Sequence, residues 1–178
     1  MKPVSKLQPT IVPGIFVQPS GARLKSVSNE DSLEEIWKDI EKSGNCYGYP
    51  KPDGWRLQIH KSGGTVKLLS RRNIDYAKDF PSLVRILESP VLDDRVVLDT
   101  ELVGFDNGQH LEPSKLRTAS QYHCYILDAL FLDGKDLTAW PTRERVTFIR
   151  QTLSNLFSKE LTLAEYTLIE SKEGFVEF

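Results

Sequence analysis

A potential nucleophile lies in a turn that leads into a predicted strand, in the segment Lys51-Pro52-Asp53-Gly54-Trp55-Arg56. An unprotonated lysine amine can attack phosphorus and form a covalent intermediate. The guanidinium of Arg56 could hold a phosphate or sugar oxygen nearby, and Gly54 would let the backbone approach a ligand closely. Pro-Asp-Gly is also a strong turn signal on its own. The segment therefore fits covalent phosphorus chemistry and a plain surface turn about equally.

Two acidic residues interrupt a strand that is otherwise apolar. Asp99 and Glu101 flank Thr100, and Leu98 and Leu102 enclose the group. Side chains two positions apart on a strand point to the same face, and buried carboxylates need partners. Those partners are either a metal ion or ribose hydroxyls, or an arginine in a structural ion pair. The strand alone favours neither alternative.

Two further segments contain charged residues at predicted strand ends. Glu173-Gly174 places a carboxylate at the entrance of a predicted strand, although a solvated turn is the stronger interpretation for that pair alone. Arg71 and Arg72 follow the second strand of a predicted hairpin and could bind a DNA phosphate backbone. Charged residues also protect exposed hairpin edges, so a solvated edge is the alternative there.

Composition and motifs exclude several other classes of function. The 178 residues have a net charge of −2, so bulk charge does not indicate a nucleic-acid partner. The chain lacks a GxxxxGK[ST] phosphate loop and a GxSxG motif. Its histidines (His60, His110 and His123) do not have metal-ligand spacing. The two cysteines form no CxxC pair, and no apolar run is long enough for a membrane span. We therefore expect a reducing cytoplasmic location, associated with the nucleoid if the source is prokaryotic.

Hydrophobic periodicity predicts short strands separated by single helices. An extended lead-in covers residues 1–28, and the domain proper covers 29–178. Helices are predicted over residues 28–42, 80–88 and 142–157. Strands are predicted over residues 55–60 and 65–70, which form a hairpin, and over 96–103, 122–131, 166–169 and 173–178. This order fits a mixed α+β domain better than a doubly wound parallel sheet.

The order of these segments resembles the nucleotidyltransferase domain of ATP-dependent DNA ligases over roughly residues 10–178. Residues 51–56 match the KxDGxR signature of that family, and residues 98–103 are similar to its D-G-E-L-V strand. Residues 125–134 are similar to the F-D-x-L-Y-L-D-G segment of the family, and residues 141–145 to its L-R-E-R helix. Residues 173–176 resemble the start of its E-G-x-x-x-K motif. The segments 58–61 and 69–72 look like those of archaeal-type ligases. The resemblance implies an ATP-grasp-like α+β fold with antiparallel sheets, incomplete at its C-terminal end.

The resemblance also implies residue roles. Lys51 would attack the α-phosphate of ATP to form lysyl-AMP, and the AMP would pass to the 5′-phosphate of a nick in duplex DNA before the strand is sealed. The AMP-binding residues would be Tyr49, Lys51, Arg56, Glu101 and Tyr125. Arg71 and Arg72 would bind DNA, and Glu101 and Glu173 would bind Mg²⁺. DNA repair, replication and recombination are the processes that such a ligase serves.

The chain also departs from the family pattern. Tyr49 stands where the family often has Glu, and Leu127 stands where it usually has an aromatic residue. Phe178 replaces the lysine that closes the last motif, and the later lysine motif and the OB-fold are absent from the sequence. Besides a catalytic domain, the sequence therefore fits a non-catalytic module that binds ATP or nicked DNA. It also fits a split subunit whose missing lysines and OB-fold come from a second chain. RNA ligases and messenger-RNA capping enzymes share the basic signature, but segments 58–61 and 70–72 favour a DNA ligase.

Overall fold

The computed structural model describes Gly14, Phe16, Val17, Leu92 and the ranges 28–44, 46–90 and 94–177. The described residues form two compact units. The large unit contains Pro52–Leu163 with Gly14, Phe16 and Val17, and the small unit contains residues 28–51 and 164–177. The predicted single domain over residues 29–178 stays a prediction. None of the helices in the described part of the chain is long and apolar enough to span a membrane.

Groups of strands are separated by single helices along the described chain. In chain order they are α1 (Glu30–Ser43), β1 (Cys46–Gly48), β2 (Trp55–Ser62), β3 (Thr65–Ser70), α2 (Pro81–Leu87), β4 (Arg95–Asp106), β5 (Gln109–His110), β6 (Gln121–Leu132), β7 (Lys135–Asp136), α3 (Thr142–Leu153), β8 (Leu161–Leu163), β9 (Thr167–Ile169) and α4 (Lys172–Glu177). Two 3₁₀ helices, Pro113–Thr118 and Ser154–Leu156, lie before β6 and after α3. The α+β class predicted from the sequence is confirmed.

One seven-stranded sheet organises the large unit. Its central strand order is β3-β2-β4-β6-β7, with β5 beside β4 and β8 beside β6. All pairs are antiparallel except β6–β8, which is parallel. The sheet is therefore antiparallel as predicted, apart from one parallel pair that periodicity did not reveal.

Alternating side chains of the central strands build the core of the large unit. Leu57, Ile59, Leu98, Leu102 and Ile126 are at most 1% exposed. Leu83 and Leu87 of α2 and Ile149 and Leu153 of α3 are also buried. Arg145 of α3 donates two hydrogen bonds to Asp128 of β6, at 2.8 and 2.7 Å. Apolar burial and this ion pair together join α3 to the sheet.

The predicted hairpin is confirmed, and its turn explains its register. Ser62 pairs with Thr65, and Gly63 and Gly64 between them have φ values of 57° and 73°. A two-residue hairpin turn of this type needs positive φ at both central positions, which glycine adopts without strain. The turn therefore fixes the pairing of β2 with β3.

Polar side chains of β2 bind the described residues near the N-terminus. The Val17 N–H donates to Oε1 of Gln58, and Nε2 of Gln58 donates back to the Val17 carbonyl, both at 2.8 Å. The Gly14 N–H donates to Nδ1 of His60 at 3.1 Å. Burial, with a smaller effect of nearby Lys67, lowers the pKa of His60 to about 4. Most of the predicted lead-in lies outside the described residues.

Lys61 differs from its predicted environment. A lysine on a hairpin next to the Arg71–Arg72 turn is expected to lie in an exposed basic patch, but the side chain of Lys61 is buried, and the residue is only 4% exposed. Its Nζ donates to the carbonyl oxygens of Ser89 and Leu92, both at 2.9 Å. Buried charges require such partners, so Lys61 serves the connection after α2 and not a DNA-facing surface.

The small unit combines two helices with a two-stranded sheet. Asn29 and Ser32 form a capping box at the start of α1, and Gly44 ends the helix with a φ of 78°. β1 pairs with β9 in antiparallel register. Trp37 of α1 contacts Phe175 of α4, with ring centroids 6.2 Å apart, and Lys172 pairs with Glu34.

The strand predicted over residues 173–178 is wrong, because Lys172–Glu177 forms α4. Phe178 lies outside the described residues. The hydroxyl of Ser171 accepts a hydrogen bond from the Gly174 N–H at 3.1 Å, as a helix N-cap does. Glu173 stands in the first turn, where a negative charge interacts favourably with the helix dipole. The apolar pair Phe175–Val176 resembled a strand, but the cap and the acidic first turn favour a helix.

Candidate active site

A row of three predicted site residues crosses the centre of the sheet in the large unit. Arg56 of β2 pairs with Glu101 of β4, and Glu101 pairs with Tyr125 of β6. Residues paired in register project their side chains to the same face of a sheet. The strands therefore bring a cation, a carboxylate and an aromatic ring together, in that order. We call this set the site row.

Gly54 joins the signature turn to the site row. Its N–H donates to Oε1 of Glu101 at 3.1 Å. A Cβ at this position would overlap the carbonyl oxygen of Leu102 and lie 2.9 Å from Cγ1 of Val103. Only glycine allows the chain at the start of β2 to approach β4 this closely. Steric fit therefore requires glycine at the position before Trp55 and Arg56.

Arg56 has a fixed partner in Asp99. Its Nε donates to Oδ1 of Asp99 at 3.1 Å, and its Nη2 pairs with Oδ2. The Asp99 side chain is 9% exposed and that of Arg56 is 27% exposed. A bidentate pair restricts the plane of the guanidinium as well as its position. For Asp99, the structural ion pair is therefore the correct alternative of the two that the sequence left open.

Aromatic residues and a second arginine support the beginning of β2. The indole Nε1 of Trp55 donates to the Pro113 carbonyl at 2.7 Å, and the rings of Trp55 and Tyr76 lie 5.2 Å apart. The guanidinium carbon of Arg117 lies 5.5 Å from the Trp55 ring and 5.3 Å from the Tyr76 ring. These contacts hold the Trp55 side chain in one orientation.

Tyr125 is half-buried and has a second ring beside it. The centroid of His123 lies 4.2 Å from that of Tyr125, with the ring planes tilted by 37°. Nε2 of His123 is hydrogen-bonded to the hydroxyl of Thr162 at 2.8 Å, and Thr162 pairs with Tyr125 across β6 and β8. Burial lowers the pKa of His123 below its ordinary 6.5, although the Lys159 backbone and the Glu160 carboxylate act in the opposite direction.

Leu127, at the position where the resemblance leads one to expect an aromatic residue, stands in a β-bulge. Thr100 pairs with Ile126 but Asp99 pairs with Asp128, so Leu127 is the extra residue on β6. Tyr125 remains in regular pairing, opposite Glu101. The structure thus shows an aromatic ring in the site row despite the aliphatic residue at the bulge.

Arg71 and Arg72 stand in a tight turn at the end of β3. Both residues are exposed. The Asn73 N–H donates to the Ser70 carbonyl at 2.8 Å, and Asn73 has a φ of 60°. Ser70 pairs with Leu57, so the turn begins beside the strand end from which Arg56 projects. Both arginines are accessible on the large unit.

The other predicted site residues belong to the small unit. Tyr49 is 39% exposed, and its ring centroid lies 5.1 Å from that of Tyr166. Lys51 is exposed and is the last residue of this unit before the chain continues into the large unit at Pro52. Glu173 is exposed in the first turn of α4, and hydrogen bonds from its own backbone and from Ser171 lower its pKa. The roles of these residues stay predictions.

A pre-assembled metal centre is not found among the described residues, where no group of three or more His, Cys, Asp or Glu side chains could hold an ion. Mg²⁺ that binds together with nucleotide phosphates uses only one or two protein carboxylates and several waters. The half-buried Glu101 and the exposed Glu173 provide that donor type. Their chemistry is compatible with the predicted role in Mg²⁺ binding.

Sequence reasoning missed two residues of this region. The sequence marks His123 only as a histidine without metal-ligand spacing, and no pattern predicts β8, the strand that contains Thr162. The available signal was the position of His123 two residues before Tyr125 on the predicted strand 122–131, which places both side chains on one face. The contact with Thr162 depends on a parallel pairing that a local pattern does not reveal.

Comparison with known proteins places these features in one family. The family model described as ATP dependent DNA ligase domain matches residues 25–178. A DNA ligase from Pyrobaculum neutrophilum is 34% identical over 146 residues, which are 74% of this chain and 24% of that protein. The chain therefore spans about a quarter of the length of that curated relative.

Solved structures agree with this assignment. The crystal structure of the ligase domain from M. tuberculosis LigD matches with a TM-score of 0.59 and 27% sequence identity, covering 75% of this chain and 44% of that chain. Mycobacterial DNA ligase D complexed with ATP and MES matches with a TM-score of 0.58 and 26% identity, with the same coverage. The sheet of the large unit thus belongs to an architecture known from DNA ligases.

Proposed function

The chain belongs to the ATP-dependent DNA ligase domain family, and we propose that it performs the adenylation half of DNA strand joining. The observation that supports this most strongly is the site row, whose first residue, Arg56, belongs to the same signature segment as Lys51. A cation, a carboxylate and an aromatic ring offer partners for the phosphate, the ribose and the base of one nucleotide. Their order across β2, β4 and β6 matches the order of those groups in AMP.

The proposed covalent step occurs at Lys51. The unprotonated Nζ attacks the α-phosphorus of ATP, so that a nitrogen–phosphorus bond forms and the bond from the α-phosphorus to the bridging oxygen breaks. Pyrophosphate leaves with the bonding electron pair, and the amine proton passes to solvent. Catalysis of such transfers depends chiefly on positioning and on stabilisation of charge. Lysyl-AMP is the product.

We assign the remaining nucleotide contacts to residues whose placement fits them. The Arg56 guanidinium, oriented by Asp99, binds phosphate or ribose oxygens, and Glu101 accepts from the ribose. Tyr125 and Tyr49 offer rings for the adenine. Glu101 and Glu173 are proposed as the carboxylates that hold Mg²⁺, which when bound neutralises charge on the phosphates.

Nicked duplex DNA is the proposed second substrate. Arg71 and Arg72 are exposed on a turn whose backbone is fixed by hydrogen bonds, and paired arginines suit the DNA phosphate backbone. The AMP would pass from Lys51 to the 5′-phosphate of the nick, and the 3′-hydroxyl would then displace it. A second chain that supplies further lysines and an OB-fold remains a proposed partner for this later stage.

Incubation with α-labelled ATP and Mg²⁺, followed by a denaturing gel, tests the proposed function. The unchanged chain and a Lys42→Ala variant, which alters an exposed lysine of α1, should retain label. Lys51→Ala should retain none. Label that persists in Lys51→Ala would contradict the assignment of the nucleophile. No label in any variant, with folding confirmed by circular dichroism, would favour the non-catalytic alternative.

A further inference from the structure

We propose that His123 and Thr162 are positioning residues that fix the ring of Tyr125 as a platform for the nucleobase. The inference rests on the proposed function, because it concerns the base-binding end of the same site row. It adds to that function two residues that do not belong to the ligase signature segments. The argument depends on ring geometry, hydrogen bonding and strand pairing.

The first step concerns the freedom of the Tyr125 ring. A half-buried tyrosine on a sheet face can adopt more than one side-chain rotamer, and most of them would remove a flat surface from the site row. His123, two residues earlier on the same face, lies 4.2 Å away, centroid to centroid, in a tilted stack. Aromatic pairs at such separations contribute about 0.5–1.5 kcal/mol beyond simple burial. The histidine therefore favours one orientation of Tyr125.

The second step concerns what fixes His123. A neutral imidazole has one donor nitrogen and one acceptor nitrogen. Nε2 of His123 lies 2.8 Å from Oγ1 of Thr162, and the hydroxyl can serve as donor or as acceptor to it. Burial lowers the pKa of His123, and the Lys159 backbone acts in the opposite direction. The hydrogen bond to Thr162 of β8 restrains the histidine ring, which cannot rotate without losing that partner.

The third step joins the pair to the nucleotide. Thr162, Tyr125 and Glu101 occupy one row across β8, β6 and β4. Thr162 therefore lies beside Tyr125, on the side opposite Glu101. The ring is supported from β8 and remains in line with Glu101. Base affinity, and not phosphate affinity, should depend on this support.

The test uses four single variants of the chain, and a double-mutant cycle that adds Tyr125→Ala alone and combined with His123→Ala. His123→Ala removes the ring and its hydrogen bonds, His123→Phe keeps a ring, and Thr162→Val removes only the hydroxyl. His110→Ala is the matched control, since His110 is an exposed histidine that contacts Phe105 at 5.7 Å. Because each chain forms lysyl-AMP once, KM here is the ATP concentration at half the maximal single-turnover rate, and kcat is that maximal rate constant. Both are measured, together with inhibition by inorganic tripolyphosphate, which has no base.

We expect His123→Ala to raise the KM for ATP about three- to tenfold with kcat changed less than twofold, in line with the energy of an aromatic pair. His123→Phe and Thr162→Val should show smaller increases, and His110→Ala none. Inhibition by tripolyphosphate should be the same in all variants. In a Tyr125→Ala background, His123→Ala should have no further effect, because the ring that it supports is gone.

Several results would overturn the inference. These are an unchanged KM in folded His123→Ala, additive effects of His123→Ala and Tyr125→Ala, or an equal loss of tripolyphosphate inhibition. If the unchanged chain forms no lysyl-AMP, binding of AMP measured by ligand-observed NMR replaces KM in the same comparison. A chain that binds AMP but forms no lysyl-AMP rejects the proposed adenylation, and its AMP affinities still test whether His123 and Thr162 support Tyr125. A chain that binds no AMP rejects both.

Discussion

At the scale of single residues, Gly54 shows how steric fit and chemistry coincide. Its backbone N–H donates to the Glu101 carboxylate, and the absence of a side chain leaves room for the carbonyl oxygen of Leu102. We predict that Gly54→Ala destabilises the fold by roughly 1–3 kcal/mol, the usual cost of overpacking. Because β2 must move away from Glu101, lysyl-AMP formation should also fall at least tenfold. Urea unfolding and the labelling assay measure the two effects.

Gly174→Ala provides the matched control for that prediction. A Cβ on Gly174 would meet the Ser171 hydroxyl oxygen at 3.6 Å, an ordinary contact, and alanine favours a helix. Its free energy of unfolding should not decrease. If Gly54→Ala were as stable as Gly174→Ala, the steric account of the signature glycine would be rejected.

The Arg56–Asp99 pair gives a second prediction at this scale. Asp99→Asn leaves a half-buried guanidinium without its charged partner, and we expect a loss of about 1–3 kcal/mol in the free energy of unfolding. In a double-mutant cycle, Arg56→Gln and Asp99→Asn should couple by about 0.5–3 kcal/mol. The cycle is measured by urea unfolding, and additive losses would show that the pair does not act as a unit.

The sequence predicted most of these residues but few of their contacts. Lys51, Gly54 and Arg56 are recognisable because the chemistry requires them within a few positions of one another. The bond from Arg56 to Asp99 depends on the β2–β4 register, and the regular position of Tyr125 depends on a bulge at Leu127. Register and bulges arise from long-range pairing, which a local pattern does not encode.

At the scale of elements, β2 contains a buried histidine that should make stability depend on pH. The pKa of His60 falls from the ordinary 6.5 to about 4, so the unfolded chain binds this proton first as the pH decreases. The stabilisation is therefore complete above pH 6.5 and decreases from pH 6.5 to 4. We predict that His60→Asn, which cannot titrate, flattens the pH dependence of unfolding in that window by about one proton.

His110→Asn is the control for the His60 experiment, because it removes an exposed histidine from β5. Its unfolding free energy should follow the same pH dependence as that of the unchanged chain. An identical slope in His60→Asn and in the unchanged chain would contradict the described environment of β2.

Elements also show where sequence patterns fail. Hydrophobic periodicity predicted helix α1 and the hairpin β2–β3, and in the structure the helix caps and the turn glycines support the same elements. The strand expected at residues 173–178 was wrong, because Phe175–Val176 resembles a strand locally, whereas the Ser171 hydroxyl caps a helix there. Strands β1 and β8 have three residues each, too few for an alternating pattern to be visible in the sequence. They form strands because they pair with β9 and β6.

At the scale of the whole molecule, the two units differ in how much apolar surface they bury. The large unit contains most of the fully buried side chains, whereas the described part of the small unit buries only Ala164 and Ile169 among its apolar residues. Regions with few buried contacts open more readily. We predict that amides of α1 exchange with deuterium at least tenfold faster than those of β4 and β6. Hydrogen-exchange mass spectrometry measures this, and equal protection would contradict the prediction.

The central claim is that Lys51 becomes covalently bound to AMP, and the most direct measurement is peptide mapping of the chain after reaction with ATP and Mg²⁺. Intact mass spectrometry first counts the AMP groups per chain, and fragmentation then locates them. The account predicts one AMP on Lys51, none in the Lys51→Ala variant, and a reduced yield in Glu101→Gln. AMP on another lysine, or an unmodified chain that binds ATP and remains folded, would contradict it.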